Sequence, residues 1–150
     1  MAKEEFVNVL RVSVVPDGEM PNYTIKSLKM ENTLHKLYET LGCEMVEVVT
    51  VNIDGKEYDI WCDEEALCKC PIPEPVLPLD DDPTSKNFRV LFGPVLFANC
   101  NEDGEMASLS EEDEEAIRNW VKAKIYVLRK WLYIIQVKHF LNSLEEVPAR

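Results

Sequence analysis

The chain has 150 residues, 46% of them hydrophobic and 29% charged, with a net charge of −12. That is enough for one domain with a real core and is an ordinary globular composition. The charge disfavours direct binding of DNA or RNA by the body, because the attraction to phosphate has the wrong sign.

The charge is also unevenly placed. Residues 1–117 carry 26 acids against 9 Lys and Arg, a balance of −17, whereas residues 118–150 carry 2 acids against 7, a balance of +5. The plain consequence is solubility and a helix with a basic end; the sharper one is an acidic body that attracts a basic protein partner or stands in for nucleic acid. The opening MAKEEF lacks the basic start and apolar run of a signal peptide. The uncharged run Val90 to Cys100 is too short to span a membrane and is broken at Gly93-Pro94. Five cysteines, an odd number without an export signal, suggest reduced thiols. The expectation is a cytoplasmic protein with no membrane contact.

Phe6 to Val15 is rich in β-branched residues and ends at the Pro16-Asp17-Gly18 turn, which predicts an interior strand. In the next extended run, Tyr23 and Ile25 share one face while Leu28 and Met30 share the other, a phase change that predicts a bulge near Ser27. Asn32 reads as the N-cap of a short helix whose apolar stripe is Leu34, Leu37, Tyr38 and Leu41. Gly42 closes that helix in the left-handed conformation. Met45 to Val51 then predicts a strand buried at least partly on both faces. Asp54-Gly55 predicts a tight hairpin into Tyr58, Ile60 and Cys62, which alternate with Glu57, Asp59 and Trp61. Trp61, on the more polar face, is either covered by the C-terminal helix or part of a contact surface.

Residues 63–87 lose the pattern. One helical turn is expected at Asp63 to Leu67, and five of the nine prolines follow between Pro71 and Pro83. The segment reads as an ordered surface loop anchored by Ile72, Val76, Leu77 and Leu79. Asp80-Asp81-Asp82 reads as solvated charge, since no EF-hand pattern accompanies it. Phe88 to Cys100 predicts an interior strand interrupted at Gly93-Pro94, and Asp103-Gly104 a turn into a short strand at Glu105 to Ala107.

Ser110 and Asp113 form a capping-box pattern that opens a long C-terminal helix, 110–145, with Glu111, Glu112, Glu114 and Glu115 in its first turns. One apolar stripe runs through Ile117, Trp120, Val121, the Lys124 stem, Leu128, Trp131, Leu132 and Ile135. A second contains Tyr126, Tyr133, Val137 and Phe140. One stripe can cover a sheet; the second needs another neighbour, either a second copy of the chain or the Pro-rich loop folded back. The predicted fold is α+β: a single domain with a mostly antiparallel sheet of five or six strands, one short helix and one long C-terminal helix.

No Gly-rich phosphate loop, nucleophile elbow or metalloprotease helix occurs. Cys62, Cys68 and Cys70 do not match zinc-knuckle spacing. No catalytic residue, metal or cofactor is expected. The partner-binding candidates are Trp61, Tyr126, Arg129, Lys130, Tyr133, Val137 and Phe140.

The run IKSLKMENTLHKLYETLGCEMVEVV, with YDIWCDEEALC, FRVLFGPVLFAN and GEMASLSEEDEEAI after it, resembles domain of unknown function 3846 over about residues 7 to 120. Gly42-Cys43 in place of a double glycine, the Pro-rich insert and the helix past Trp120 depart from that pattern. The resemblance implies a small protein of phages, plasmids or conjugative elements and brings no catalytic residue. The function expected is a non-enzymatic interaction module of a mobile element, in its sharper form an acidic inhibitor of a host or anti-phage defence protein, working as a homo-oligomer. The alternative is a small-ligand or nucleotide binder using Trp61, Arg11 and Arg89.

Overall fold

A computed structural model of the protein describes residues 3–15 and 22–145; the Pro16-Asp17-Gly18 turn lies outside them. β1 (Phe6–Val15) pairs antiparallel with β2 (Asn22–Glu31). α1 (Leu34–Leu41) follows, then the hairpin of β3 (Val46–Ile53) and β4 (Lys56–Asp63). β5 (Pro75–Pro78) and β6 (Val90–Phe92) form a small ribbon, and β7 (Val95–Cys100) returns to the main sheet with β8 (Met106–Ala107) beside it. α2 (Glu111–Glu145) ends the described chain.

The main sheet has the order β2-β1-β7-β4-β3, with β8 on β7, and every pairing is antiparallel. The protein is therefore α+β, with one short and one long helix on a six-stranded antiparallel sheet. β1 is interior as expected, and β2 and β3 are the two edges. α1 carries the chain from one edge to the other across one face, burying Leu37 and Leu41 against Val7, Val9, Met30, Leu96 and Ala98. α2 covers the opposite face, where Ile117 and Val121 meet Leu10, Val12, Ile60 and Phe97.

This two-sided cover explains the phase change in β2. No bulge occurs: the register runs unbroken from Phe6 opposite Glu31 to Val15 opposite Asn22. Ile25 packs in the α2-side cluster and Leu28 and Met30 in the α1-side cluster. A helix on each face reverses the buried phase without any irregularity in the ladder.

Two other local expectations are corrected. Thr33, not Asn32, caps α1: its hydroxyl accepts from the Lys36 amide at 3.1 Å. Asn32 is instead buried and donates through its amide to the carbonyls of Glu4 (2.9 Å) and Met106 (3.2 Å), tying the helix entry to the start of β1 and to β8. β3 is partly buried on both faces as expected, Val49 and Val51 packing on the α2 side and Val46 on the α1 side, while Val48 at this edge stays 47% exposed. The Pro-rich segment is not all loop. It holds a 3-10 turn (Ala66–Cys68) and β5, whose Val76 and Leu77 are among the most deeply buried side chains. Ile72 is exposed and anchors nothing. Prolines fit β5 because the ribbon is only two strands wide and every strand in it is an edge.

Gly42 adopts φ +66°, the left-handed closure of α1. Asp54 and Gly55, at φ +53° and +87°, make the two-residue turn that suits the twist of a hairpin.

Candidate interaction site

The site is best built from the anchored end of α2 outwards. Its first turn is held by a reciprocal cap: the Asp113 amide donates to the Ser110 hydroxyl (3.1 Å), and the Asp113 carboxylate accepts from the Ser110 amide (2.9 Å). The same carboxylate also accepts from Tyr58 OH (2.6 Å), Lys56 Nζ (2.8 Å) and Asn99 Nδ2 (2.8 Å). One residue thus ties the helix start to β4 and β7. Burial alone would raise its pKa, but these donors outweigh burial and hold the carboxyl far below the usual range. Tyr58 moves the other way: burial and its bond to Asp113 raise the phenol.

Along the sheet-facing side, Ile117, Val121 and Leu128 are fully buried and Trp120 meets Phe97 edge-on with centroids 6.0 Å apart. Lys124 is buried with its stem, and its ammonium reaches the exposed carboxylate of Asp81. The three aspartates therefore do separate work. Asp80 binds Arg89 through the guanidinium and the backbone amide, Asp81 holds Lys124, and Asp82 caps the turn at Thr84. These contacts bring the Pro-rich segment against the flank of α2.

Beyond Leu128 the cover thins. Trp131 lies beside Phe88 at 5.8 Å, and Leu132 is half-buried. Ile135, expected against the sheet, is 41% exposed, because α2 outruns the sheet there. Every described residue from Ile135 to Glu145 is exposed.

The second stripe is open along its whole length. Tyr126, Tyr133 and Phe140 are each more than 60% exposed, and Val137 and Leu144 are also exposed. The Pro-rich segment does not fold over it. Asp81, Pro83 and Thr84 run beside Tyr126, Arg129, Lys130 and Tyr133, leaving a groove of about 600 Å³. The Lys130 ammonium lies 4.7 Å from the Tyr126 ring centre, a cation–π contact on the groove wall.

The order Tyr126, Lys130, Tyr133, Val137, Phe140, Leu144 steps alternately by four and three residues. That is the seam of a coiled coil, narrower than the stripe a helix lays on a globular core. Reading the stripe as a heptad brings in Leu144, which a search by apolar clusters passes over.

Trp61 is not part of this surface. It packs half-buried in the α1-side cluster and faces away from α2. Arg11 shares that face, each of the two lying opposite Leu96 of β7, whereas Arg89 is on the α2 side and paired with Asp80. The three residues of the nucleotide reading do not come together.

A second concavity, about 850 Å³, opens between the end of α1 and the 3-10 turn. Lys69 sits at it with its ammonium 2.6 Å from Asp63 and 3.1 Å from the Gly42 carbonyl. Cys43 lines it, and its thiol is raised by burial and by Asp63. Cys62, in the core, is pushed up to about 12 by burial and Glu47. These thiols are protonated at neutral pH and poor nucleophiles. Among the described residues no helix is long and apolar enough to cross a membrane.

No curated protein and no solved structure matches the chain. A protein family does. Its pattern covers residues 10–122, from the middle of β1 through the third turn of α2. The anchored part of the molecule thus lies inside the match, and the exposed seam begins after it. By that match the chain belongs to the family described as domain of unknown function DUF3846.

Proposed function

We propose that the chain is a non-enzymatic interaction protein of a phage or plasmid, an acidic body that engages a basic host or defence protein and blocks it. The mobile-element part comes from the family resemblance. The observation that carries the interaction part is the heptad seam of α2, left open on a helix otherwise firmly held. Leaving Tyr126, Tyr133, Val137 and Phe140 in water forgoes roughly 1.5 to 3 kcal/mol for each large side chain. The five free cysteines suit a reducing cytoplasm.

A second copy of the chain suits the seam itself. Antiparallel pairing about Tyr133 sets Tyr133 against its counterpart and brings Phe140 opposite Tyr126, at the groove beside Pro83 and Thr84. Such two-fold pairing is the commonest way a chain covers its own apolar stripe. Light scattering at micromolar concentration tests it: twice 17.3 kDa is expected, reverting to one copy for Tyr133→Glu. A monomer in both proteins would remove self-pairing. The nucleotide reading has less support, because Arg11 and Arg89 lie on opposite faces of the sheet.

A further inference from the structure

We propose that the outer edge of β3 receives an extended, basic segment of the partner protein as an added strand. This rests on the reading of the acidic body as a docking surface for a basic protein, and it names the element that does the docking.

The argument starts from the backbone. The Glu64 amide donates to the Met45 carbonyl at 3.1 Å, and the two-residue turn closes on the Ile53–Lys56 pair. Antiparallel pairs alternate between bonded and unbonded, so the odd-numbered residues of β3 turn their amides and carbonyls to β4. Val46, Val48, Thr50 and Asn52 turn theirs outward. No described strand lies beyond them. The β3–β4 register runs from Val46 opposite Asp63 to Ile53 opposite Lys56 without a shift, so no bulge twists this edge away.

Sheet edges in native proteins are normally blunted by lysine, proline, bulges or a covering group. The other edge of this sheet follows that practice. β2 carries Lys26 and Lys29, and the Arg118 guanidinium from α2 donates to the Ile25 carbonyl at 3.2 Å. β3, VEVVTVNI, has no lysine and no proline, and Val48 is 47% exposed. The β2 edge is closed; the β3 edge has no described strand beside it, and Leu79, Asp81, Arg89 and Lys124 face it only across a concavity on its α2 side.

Charge selects the occupant. Residues 44–65 hold eight acids and one lysine, Lys56. On the α1 face, Thr50 pairs with Asp59 and Asn52 with Glu57, so both carboxylates lie one strand in from the open edge. An added strand would sit about 4.8 Å outside β3. From there a lysine or arginine reaches those carboxylates, while an acidic strand would be repelled. Main-chain bonds supply the affinity of strand addition and alternate side chains the selectivity.

The test uses the full chain and a labelled ten-residue peptide alternating Lys and Val, followed by fluorescence anisotropy at low salt. A second peptide of the same sequence, N-methylated at every lysine, carries the same charge but lacks the amides that an antiparallel strand with its lysines on the α1 face turns to β3. The Lys/Val peptide should bind, and the N-methylated peptide at least tenfold more weakly. Val48→Pro removes one outward amide at an edge that tolerates proline, and Val48→Lys blunts the edge without touching the backbone. Each should weaken Lys/Val binding at least tenfold, with Tyr133→Glu leaving it unchanged. Equal binding of the two peptides, indifferent to both Val48 variants, would sink strand addition and leave the acidic-body reading standing. If neither peptide binds, both readings fall. A dimer that Val48→Lys dissociates would make a second copy the occupant of β3 and overturn the proposal.

Discussion

The two halves of α2 are built from similar residues and do opposite things. From Glu111 to Leu128 the helix is capped, ion-paired and packed, with Ile117, Val121 and Leu128 fully buried. From Arg129 to Glu145 it carries more large apolar groups and buries none of them fully. Helix propensity cannot be the difference, since neither half contains Gly or Pro. The difference is what lies opposite. The sheet and the β5–β6 ribbon end near Trp131, so the helix continues as a rod whose apolar seam faces solvent. The anchored half makes the fold, and the projecting half is available to a partner.

The largest expected effect comes from cutting the anchor. Asp113→Ala removes four hydrogen bonds to one carboxylate, stranding the Tyr58 hydroxyl and leaving Asn99 the Ser108 carbonyl, while the backbone amide at 113 still donates to Ser110. A lost hydrogen bond costs about 1 kcal/mol and a stranded buried donor about 1 to 3. Urea denaturation should therefore show a loss of roughly 3 to 5 kcal/mol. A loss below about 1 kcal/mol would mean that Asp113 does not hold the two layers together.

Much of this anchor could be read in the sequence, and some of it could not. Ser110 and Asp113 are a local pattern, and so are Gly42 and Asp54-Gly55, because turns and caps are decided within four residues. The ties from Asp113 to Lys56, Tyr58 and Asn99 cross between strands far apart in the chain, and no periodicity encodes them. The β2 bulge was misread for a related reason. A reversal of buried phase has the same signature whether the strand bulges or the covering helix changes sides. The seam was legible as residues, Tyr126 through Phe140, but its exposure depends on where the sheet stops, and helical spacing does not report that. Trp61 needed the sheet order before it could be placed on the α1 face.

Matched truncations in the two halves sharpen the comparison. Leu128→Ala opens a cavity at a fully buried site and should cost roughly 2 to 5 kcal/mol. Phe140→Ala, at a side chain 61% exposed, should change the stability of one copy by no more than about 0.5 kcal/mol. Equal losses would mean that the projecting half is covered within one chain.

pH bears mainly on the anchored half, because Asp113 and Tyr58 meet at its start, whereas Tyr23 lies nearer Arg129. Asp113 is more acidic folded than unfolded. Its stabilisation is complete above the unfolded carboxyl value, near 4, and is lost as pH falls below that. Tyr58 and Tyr23 are raised, the latter to about 12, both chiefly by burial. Their contribution is complete below the unfolded phenol value, near 10, and is lost as pH rises past it. Denaturation midpoints should be level between these limits and fall on both sides. Asp113→Asn should flatten the acid limb and, because Asp113 also helps raise Tyr58, reduce the alkaline limb to a lesser extent; an unchanged acid limb would assign it to other carboxylates.

Gly42→Ala tests a smaller term. A Cβ at Gly42 would meet nothing within 4 Å, so only the left-handed backbone opposes it. The expected loss is about 1 kcal/mol by denaturation. A larger one would show that the joint from α1 into β3 constrains the sheet edge as well as the helix end.

The smallest expected effect on stability is also the most telling about the projecting half. Tyr133→Glu places a charge at the middle of the seam, on a residue 68% exposed with no sheet beneath it. One copy should unfold within about 0.5 kcal/mol of the parent, since surface changes away from caps and cores rarely do more. Association should respond strongly, because antiparallel pairing brings two introduced carboxylates together at the two-fold axis. Their repulsion is long-range in dilute buffer but screened over about 10 Å at 0.1 M salt. Raising salt should therefore restore some pairing to Tyr133→Glu while leaving the parent nearly unaffected, since apolar contact drives the latter. Sedimentation of both proteins across a salt series reads this directly. A parent dimer that dissociates with salt would place its interface on the charged body and not on the α2 seam.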